Sequence, residues 1–451
     1  MRGDFVPAGG TVLEDRHLAR QAPHRAHEGR RRIRPARRVD SLAQVQKMWE
    51  FAGADLDSAH VQAMIEQGIG PVSARMPTGM DGAAFMSNLP PEGTFAMNTQ
   101  VFSENTERND VPMKTEPYPG FSGSALDIPI AKVGVLSGIQ IAVEATLKTT
   151  GAAGTITPTF RWPWGLFKKI AVTANGQTSL IAPSGLDCRA RHSRVYRNPR
   201  DPVTVAPSTD GFGDPTLAAI ERGKELSVFL IYEVPIVHDW FSITGSLFMQ
   251  SDQTYAALHL EMPSKAELFT LTESAEVELT KANIMVTTTT FDVPFATTSN
   301  GRVLLVPDLQ WLHGFITNTK NFANNGDVEV PLVRVSGELL ALYFYMQNGP
   351  GAIIKPSTWE QLRMEYGANR IPRNYKPVQH LLQKNADDYN GLILPEVGYV
   401  CLDFEADNPS RDLVFPKGVT ELKVVPTVKS TVTPAANSAV QFAEEALFSG
   451  R

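Results

Sequence analysis

GLILPEVGYV CLDFEADNPS RDLVFPKGVT ELKVVPTV, running from Gly391 to Val428, is the stretch whose reading decides the fold. Two strand-like runs, Val397–Ala406 and Thr420–Val428, flank a turn-rich link. Their apolar members alternate: Val400, Leu402 and Phe404, then Leu422, Val424 and Val428. A period of two marks strands with one face toward a core. A worn copy of the pair stands earlier, at Leu226–Ile236 and Tyr255–Met262. The stretch is expected to form one wall of a sandwich. Leu402 and Phe404 then pack inward, Cys401 and Asp403 face away, and Asp407–Arg411 is a trimmed version of the loop Val237–Thr244.

Working outward, six ungapped anchors recur in the same order in both halves. Ile128–Ile130 matches Val330–Leu332, Ser137–Val143 matches Ser336–Leu342, and Phe167–Val172 matches Trp359–Met364. Leu230–Glu233 matches Leu402–Glu405, Leu258–Leu260 matches Leu422–Val424, and Val277–Leu279 matches Val440–Phe442. The offsets fall steadily, 202, 199, 192, 172, 164 and 163, so the first copy carries the longer loops. Order, spacing and inward phase agree, which argues for an internal duplication.

The largest drop in offset falls between the third and fourth anchors. There the first copy holds Thr178–Glu225, with ARHSRVYRNPRDP at Ala190–Pro202 and a short helix expected at Pro215–Lys224. The second copy holds Ile371–Gly391, with a helix expected near Val378–Asp388. Insertions at the same place in both copies read as loops or towers at one end of the body. Val277 and Leu279 are odd-numbered, whereas Ala282, Ile284 and Val286 are even. That slip in phase predicts a β-bulge between them.

Before Thr94 the character changes. Nine arginines and one glutamate between Arg16 and Arg38 give that segment a charge of +8, against a net −6 for the chain. Its densest part is Arg30, Arg31, Arg32, Arg34, Arg37 and Arg38. Such composition predicts a disordered arm, read either as a contact for nucleic acid or anionic lipid or as a solvated tail. Short amphipathic helices follow, one from Asp40 to about Ala54 and one around Val61–Ile65, then a Gly/Pro/Met-rich linker at Met76–Pro91. No run of 18 apolar residues exists, no signal-peptide core opens the chain, and secretion is not expected. Cys188 and Cys401 are too few for a disulfide framework or a zinc site.

Catalytic signatures are missing. There is no GxxxxGK[ST], GxGxxG after a strand, HExxH or GxSxG, and no His-x-His for a cupin-type metal site. His238 and His259 read as partly buried or rim histidines. Glu233 and Glu405 hold equivalent places in the two copies and read as outward strand residues on separate domains. Trp162, Trp164 and Phe167 read as core or interface packing rather than a stacking platform for a sugar or base.

GLFKKIAVTANGQ at Gly165–Gln177, GSLFMQSDQTYAALHL at Gly245–Leu260 and LPEVGYVCLDF at Leu394–Phe404 carry a resemblance. The chain resembles, over roughly Phe95–Phe448, the double jelly-roll major capsid proteins of tailless, membrane-containing dsDNA bacteriophages of the tectivirus type. Met1–Pro91 departs from the shorter helical N-terminus of that family. The resemblance implies an all-β fold, two consecutive eight-stranded jelly rolls with a short helical N-terminal region and loop or helix insertions. It divides the chain into 1–40, a basic arm; 41–92, helices and linker; 93–290, the first jelly roll; and 291–451, the second.

It further implies a non-enzymatic shell protein, without cofactor or metal, made in the host cytoplasm and assembled into the virion. Its partners are then itself, as pseudo-hexagonal homotrimers and neighbouring trimers in an icosahedral shell, and other capsid proteins at the vertices. The arginine arm would face the internal membrane or the genome. Two alternatives stand beside this reading: a two-jelly-roll carbohydrate-active enzyme or binding protein with Trp162, Trp164 and acidic residues in one cleft, and a minor vertex or spike protein of related fold.

Overall fold

The computed structural model describes residues 95–449, apart from 98, 152, 175–180, 197–224, 239–242, 250–255, 299–300, 308, 310, 333–336, 350–351, 367–369, 390–397 and 406–421. The arginine arm, the expected N-terminal helices, the expected helix at Pro215–Lys224 and the link Asp407–Arg411 lie outside these residues.

Sixteen of the described strands build the body. The first eight are β1 (Arg108–Pro112), β2 (Ala125–Pro129), β3 (Val135–Thr150), β4 (Lys169–Ala174), β5 (Ile181–Ala182), β6 (Glu225–Val234), β7 (Ala256–Glu261) and β8 (Glu276–Phe291). The second eight are β9 (Trp311–Asn321), β10 (Val330–Pro331), β11 (Glu338–Gln347), β12 (Trp359–Tyr366), β13 (Arg370–Tyr375), β14 (Val400–Asp403), β15 (Leu422–Val428) and β16 (Ala439–Ser449). In the first set, sheet I has the order β6-β3-β8-β1 and sheet II the order β5-β4-β7-β2. In the second, sheet III runs β14-β11-β16-β9 and sheet IV β13-β12-β15-β10. Adding eight to each strand number converts one set into the other. Each is an eight-stranded jelly roll, and the fold is all-β.

All six sequence anchors fall on equivalent strands. Val143 lies directly opposite Leu230, and Leu342 directly opposite Leu402, so the second and fourth anchors agree to the residue. The fifth and sixth need correction. In the sixth, Val440 lies opposite Met346, the counterpart of Leu147, and Leu147 pairs with Leu279 rather than Val277. In the fifth, Leu258 lies opposite Val172 and Ile128, whereas Val424, not Leu422, lies opposite Met364 and Val330. A slip of two residues keeps every side chain on its own face, so the alternating pattern cannot detect it. The expected bulge is present, as a register shift between Leu279 and Lys281.

The expectation that Gly391–Val428 forms one wall is also corrected. β14 belongs to sheet III and β15 to sheet IV, and their earlier counterparts β6 and β7 belong to sheets I and II. In a jelly roll these two strands belong to opposite sheets, so an antiparallel-looking pair in sequence becomes two opposite walls.

Among the described residues the two largest apolar cores lie one in each jelly roll. In the second, Trp359 is fully buried, stacked on Phe344 at 5.9 Å, and its indole N–H donates to the Ile354 carbonyl at 3.2 Å. Sheet III is buried on both faces. Leu342, Phe344 and Met346 point into the second core, while Ala341, Tyr343 and Tyr345 pack with the core of the first jelly roll. That is why β11 reads LLALYFYM without polar alternation.

The two jelly rolls also share hydrogen bonds. β5 pairs in parallel with β9, Phe315 beside Ile181, which merges sheets II and III into one eight-stranded sheet. Separately, Phe95–Met97 pairs in parallel with Gly301–Val306, which pairs with Phe295–Thr298. The start of the described chain is thereby tied to the connection between the jelly rolls.

Candidate functional site

The most elaborate chemistry lies in the seam between the jelly rolls. It is built on helix α1, Gly185–Tyr196, which follows β5. Ser184 and Asp187 start the helix reciprocally: the Ser184 backbone N–H donates to Asp187 Oδ2 at 3.2 Å, and the Asp187 N–H donates to Ser184 Oγ at 3.2 Å. Gly185 is required by close approach, because a Cβ there would sit 2.3 Å from the Trp164 carbonyl oxygen. The helix is polar in sequence, yet Arg189, Arg191 and Arg194 are all buried. Ala190–Tyr196, expected in an end loop, is therefore half of a helix wedged between the two sandwiches.

Burying these arginines is tolerable only because each meets acceptors. Arg194 Nη2 donates to Glu445 Oε2 at 2.8 Å, its Nη1 to Asp403 and Glu405 at 3.2 Å each, and its Nε to Tyr343 Oη at 2.5 Å. Arg191 Nε donates to Glu445 Oε1 at 2.7 Å, and its Nη2 to the His238 carbonyl at 3.2 Å. Tyr343 Oη donates to Glu445 Oε2 at 2.8 Å, and Tyr389 Oη to Asp403 Oδ2 at 2.6 Å. Asp187 accepts from Tyr399 at 2.6 Å and Thr317 at 2.5 Å, two more bonds from the first jelly roll to the second.

The electrostatics follow. Burial alone would raise the Glu445 carboxyl, but the Arg191 and Arg194 guanidiniums overcome it and hold the group well below the usual carboxylate range. Burial opposes the charge on Arg194 as well, yet Glu445, Tyr343, Asp403 and Glu405 keep it firmly protonated. Burial works against the Glu405 carboxylate too, but His238 and Arg194 bring it down to about 2. Burial lowers His313 against the pull of Glu445.

Several residues singled out from sequence meet here. Glu233 and Glu405 do stand on different jelly rolls and point away from their own cores, but both are engaged by groups of the seam. Glu405 contacts His238 at 2.9 Å and Arg194, inside the seam, and Glu233 contacts His192 of α1 at 3.4 Å. Cys401 and Asp403 do face away from Leu402 and Phe404, but that side is covered: Cys401 is fully buried, and burial pushes its thiol up. His238 is partly buried; His259 sits at the rim on Asp127, at 2.6 Å. Trp162 and Trp164 are 2% and 4% exposed and pack on Phe269 and Tyr232, so neither lines an open cleft. The helix expected at Val378–Asp388 is α2, Gln379–Tyr389.

Sequence reading missed Arg191, Arg194, His313 and Glu445. Glu444-Glu445 inside the apolar strand Ala439–Phe448 was the available signal, because a charge there needs a buried partner. The structure also places one ring nitrogen each of His238 and His313 and a Glu445 carboxylate oxygen within 4.8 Å of one another, a set able to hold a metal ion.

The arrangement of the sheets defines a class, the double jelly roll, and comparison with solved structures agrees. The chain is similar to "the STIV MCP", with TM-score 0.54 and 13% identity over 76% of this chain and 96% of that one. It is similar to a chain from the atomic structure of Sulfolobus Turreted Icosahedral Virus, with TM-score 0.54 and 12% identity over 76% and 90%. The major capsid protein P2 of bacteriophage PM2 matches at TM-score 0.37 and 12% identity over 76% of this chain and 98% of that one. No protein-family model and no curated protein matches the chain. The shared property is the fold, that of viral capsid proteins built from two jelly rolls.

Proposed function

We propose that the protein is a major capsid protein, non-enzymatic, that self-assembles as homotrimers tiling an icosahedral shell. One observation carries this reading. Within the chain, the contact between jelly rolls is head-to-tail: sheet II joins the edge of sheet III through β5 and β9, and helix α1 meets the outer face of sheet III. The equivalent surfaces, sheet IV with α2 and the outer face of sheet I, are left for another copy. A heterologous contact of this kind forms a ring when its rotation closes. Three chains supply six jelly rolls, a pseudo-hexagonal block.

The outer face of sheet I suits such a role. Ala142 lies in register between Ile231 and Met285, all part-exposed, with Phe229 beside Glu144 in the next row. This patch is apolar where its counterpart in sheet III is charged. We assign 93–290 and 291–451 as the two building units, and 41–92 as the base of the block. Arg30, Arg31, Arg32, Arg34, Arg37 and Arg38 then belong to an arm facing an internal membrane or the genome, supported by the +8 charge of that segment. Synthesis in the host cytoplasm, incorporation into the virion and contact with vertex proteins follow from the same reading. Light scattering on the purified chain tests it: a mass of three chains is expected, reduced to one by Ile231→Asp with Met285→Lys. A stable wild-type monomer contradicts it.

A further inference from the structure

The seam contains an electrostatic inconsistency centred on two histidines. His313, fully buried on β9, has Nδ1 2.8 Å from the Pro235 carbonyl oxygen and Nε2 3.1 Å from Glu445 Oε1. Both neighbours only accept hydrogen bonds. A neutral ring has one proton, and with Nδ1–H on the closer Pro235 carbonyl, Nε2 presents a bare lone pair to a carboxylate. His238 behaves the same way. Its Nε2 lies 2.9 Å from the acceptor Glu405 Oε1, so in the neutral ring the single N–H sits there and Nδ1 is bare, and Nδ1 is buried with no hydrogen-bond partner. Glu445 completes the pattern. Its Oε2 accepts from Arg194 and Tyr343, whereas Oε1, once His313 does not donate, accepts from Arg191 alone.

We propose that His238, His313 and Glu445 bind one divalent metal ion of the zinc type, which staples the two jelly rolls together. His238 follows β6 of the first jelly roll, and His313 and Glu445 lie on β9 and β16 of the second. A histidine whose far N–H is held by a carbonyl or carboxylate is oriented as metal-ligating histidines are. Here Pro235 and Glu405 do the holding. Two imidazoles and a carboxylate, with water in the fourth position, suit tetrahedral zinc. Zinc–ligand bonds near 2.1 Å put tetrahedral donors roughly 3.4 Å apart. His313 Nε2 and Glu445 Oε1 already meet that spacing at 3.1 Å, and the third donor closes from within 4.8 Å.

The charges permit the ion. Glu445, Asp403 and Glu405 face Arg191 and Arg194, three carboxylates against two guanidiniums. Arg191, bonded to the same Oε1, is the main opposing charge. The His238 side chain is 18% exposed and marks the way in. The competing occupant is a second proton on His313.

The test uses the full chain, made without a histidine tag, dialysed against zinc and then buffer. Elemental analysis should find about one zinc per chain, and cobalt(II) in its place should give the intense visible bands of a tetrahedral N/O site. A chelator should lower the Tm of the wild type but not of His238→Gln, whose zinc affinity should fall at least tenfold, since losing even an outer-shell partner of a ligand costs about that much. Should that variant misfold, stoichiometry and the cobalt spectrum of the wild type decide. Folded wild type holding less than about a tenth of an equivalent of zinc, or His238→Gln binding zinc as tightly as wild type, overturns the proposal and leaves the proton. None of these readouts depends on the oligomeric state.

Discussion

Arg194 and Glu445 stand 251 residues apart in sequence and 2.8 Å apart in space, and their bond fastens the helix of one jelly roll to the last strand of the other. Their side chains are 5% and 0% exposed. Removing one partner takes away part of the other's compensation, since Glu445 keeps Arg191 and Arg194 keeps Asp403 and Glu405, so the cost is up to about 3–5 kcal/mol. Arg194→Met and Glu445→Gln should each lower stability by that order in chemical denaturation. The double variant should lose less than the sum of the two, because neither charge is then orphaned.

Trp359 fills the second core and nothing else there can replace its volume. Trp359→Ala should cost about 3–5 kcal/mol, read as a lower denaturation midpoint. The loss should concentrate in the second jelly roll. Hydrogen exchange should speed up in β12 and β15 before it does in β3 and β8.

The two thiols report on the seam. Cys188 and Cys401 are buried and burial raises both. A thiol reagent should label neither in the native protein and both after unfolding. In Arg194→Met, Cys401 should become reactive at denaturant concentrations where the wild type is still protected, since the seam opens first.

Asp110 offers a pH-dependent case. The Thr289 hydroxyl, 2.7 Å away, holds its carboxyl below the usual 3.8. A lowered folded value means the stabilisation is full above that pH and is lost as pH falls through the folded value. Thr289→Val should therefore be less stable at pH 7 by under about 1 kcal/mol, because Asp110 is half-exposed and screened. The gap should close in acid, measured as converging urea midpoints.

Much of the fold was legible in the sequence because strands buried on one face write their phase directly. Val400, Leu402 and Phe404 did so, and so did the slip between Leu279 and Ala282 that marks the bulge. Two-residue register errors leave no such trace, which is why Leu258 matched Leu422 instead of Val424. The seam was hidden for a different reason. Arg191 and Arg194 have the composition of a solvated surface, and only three-dimensional contact with Glu445 and Asp403 makes them interior. Sheet III gave a hint, since β11 lacks polar alternation and so needs cover on both faces.

The most direct measurement is electron cryo-microscopy of the purified full-length chain. The account predicts blocks of three chains with six jelly rolls in a ring, in which sheet IV and α2 of one chain cover Ala142, Ile231 and Met285 of the next. Single chains, or an assembly that leaves that face of sheet I in solvent, would contradict it.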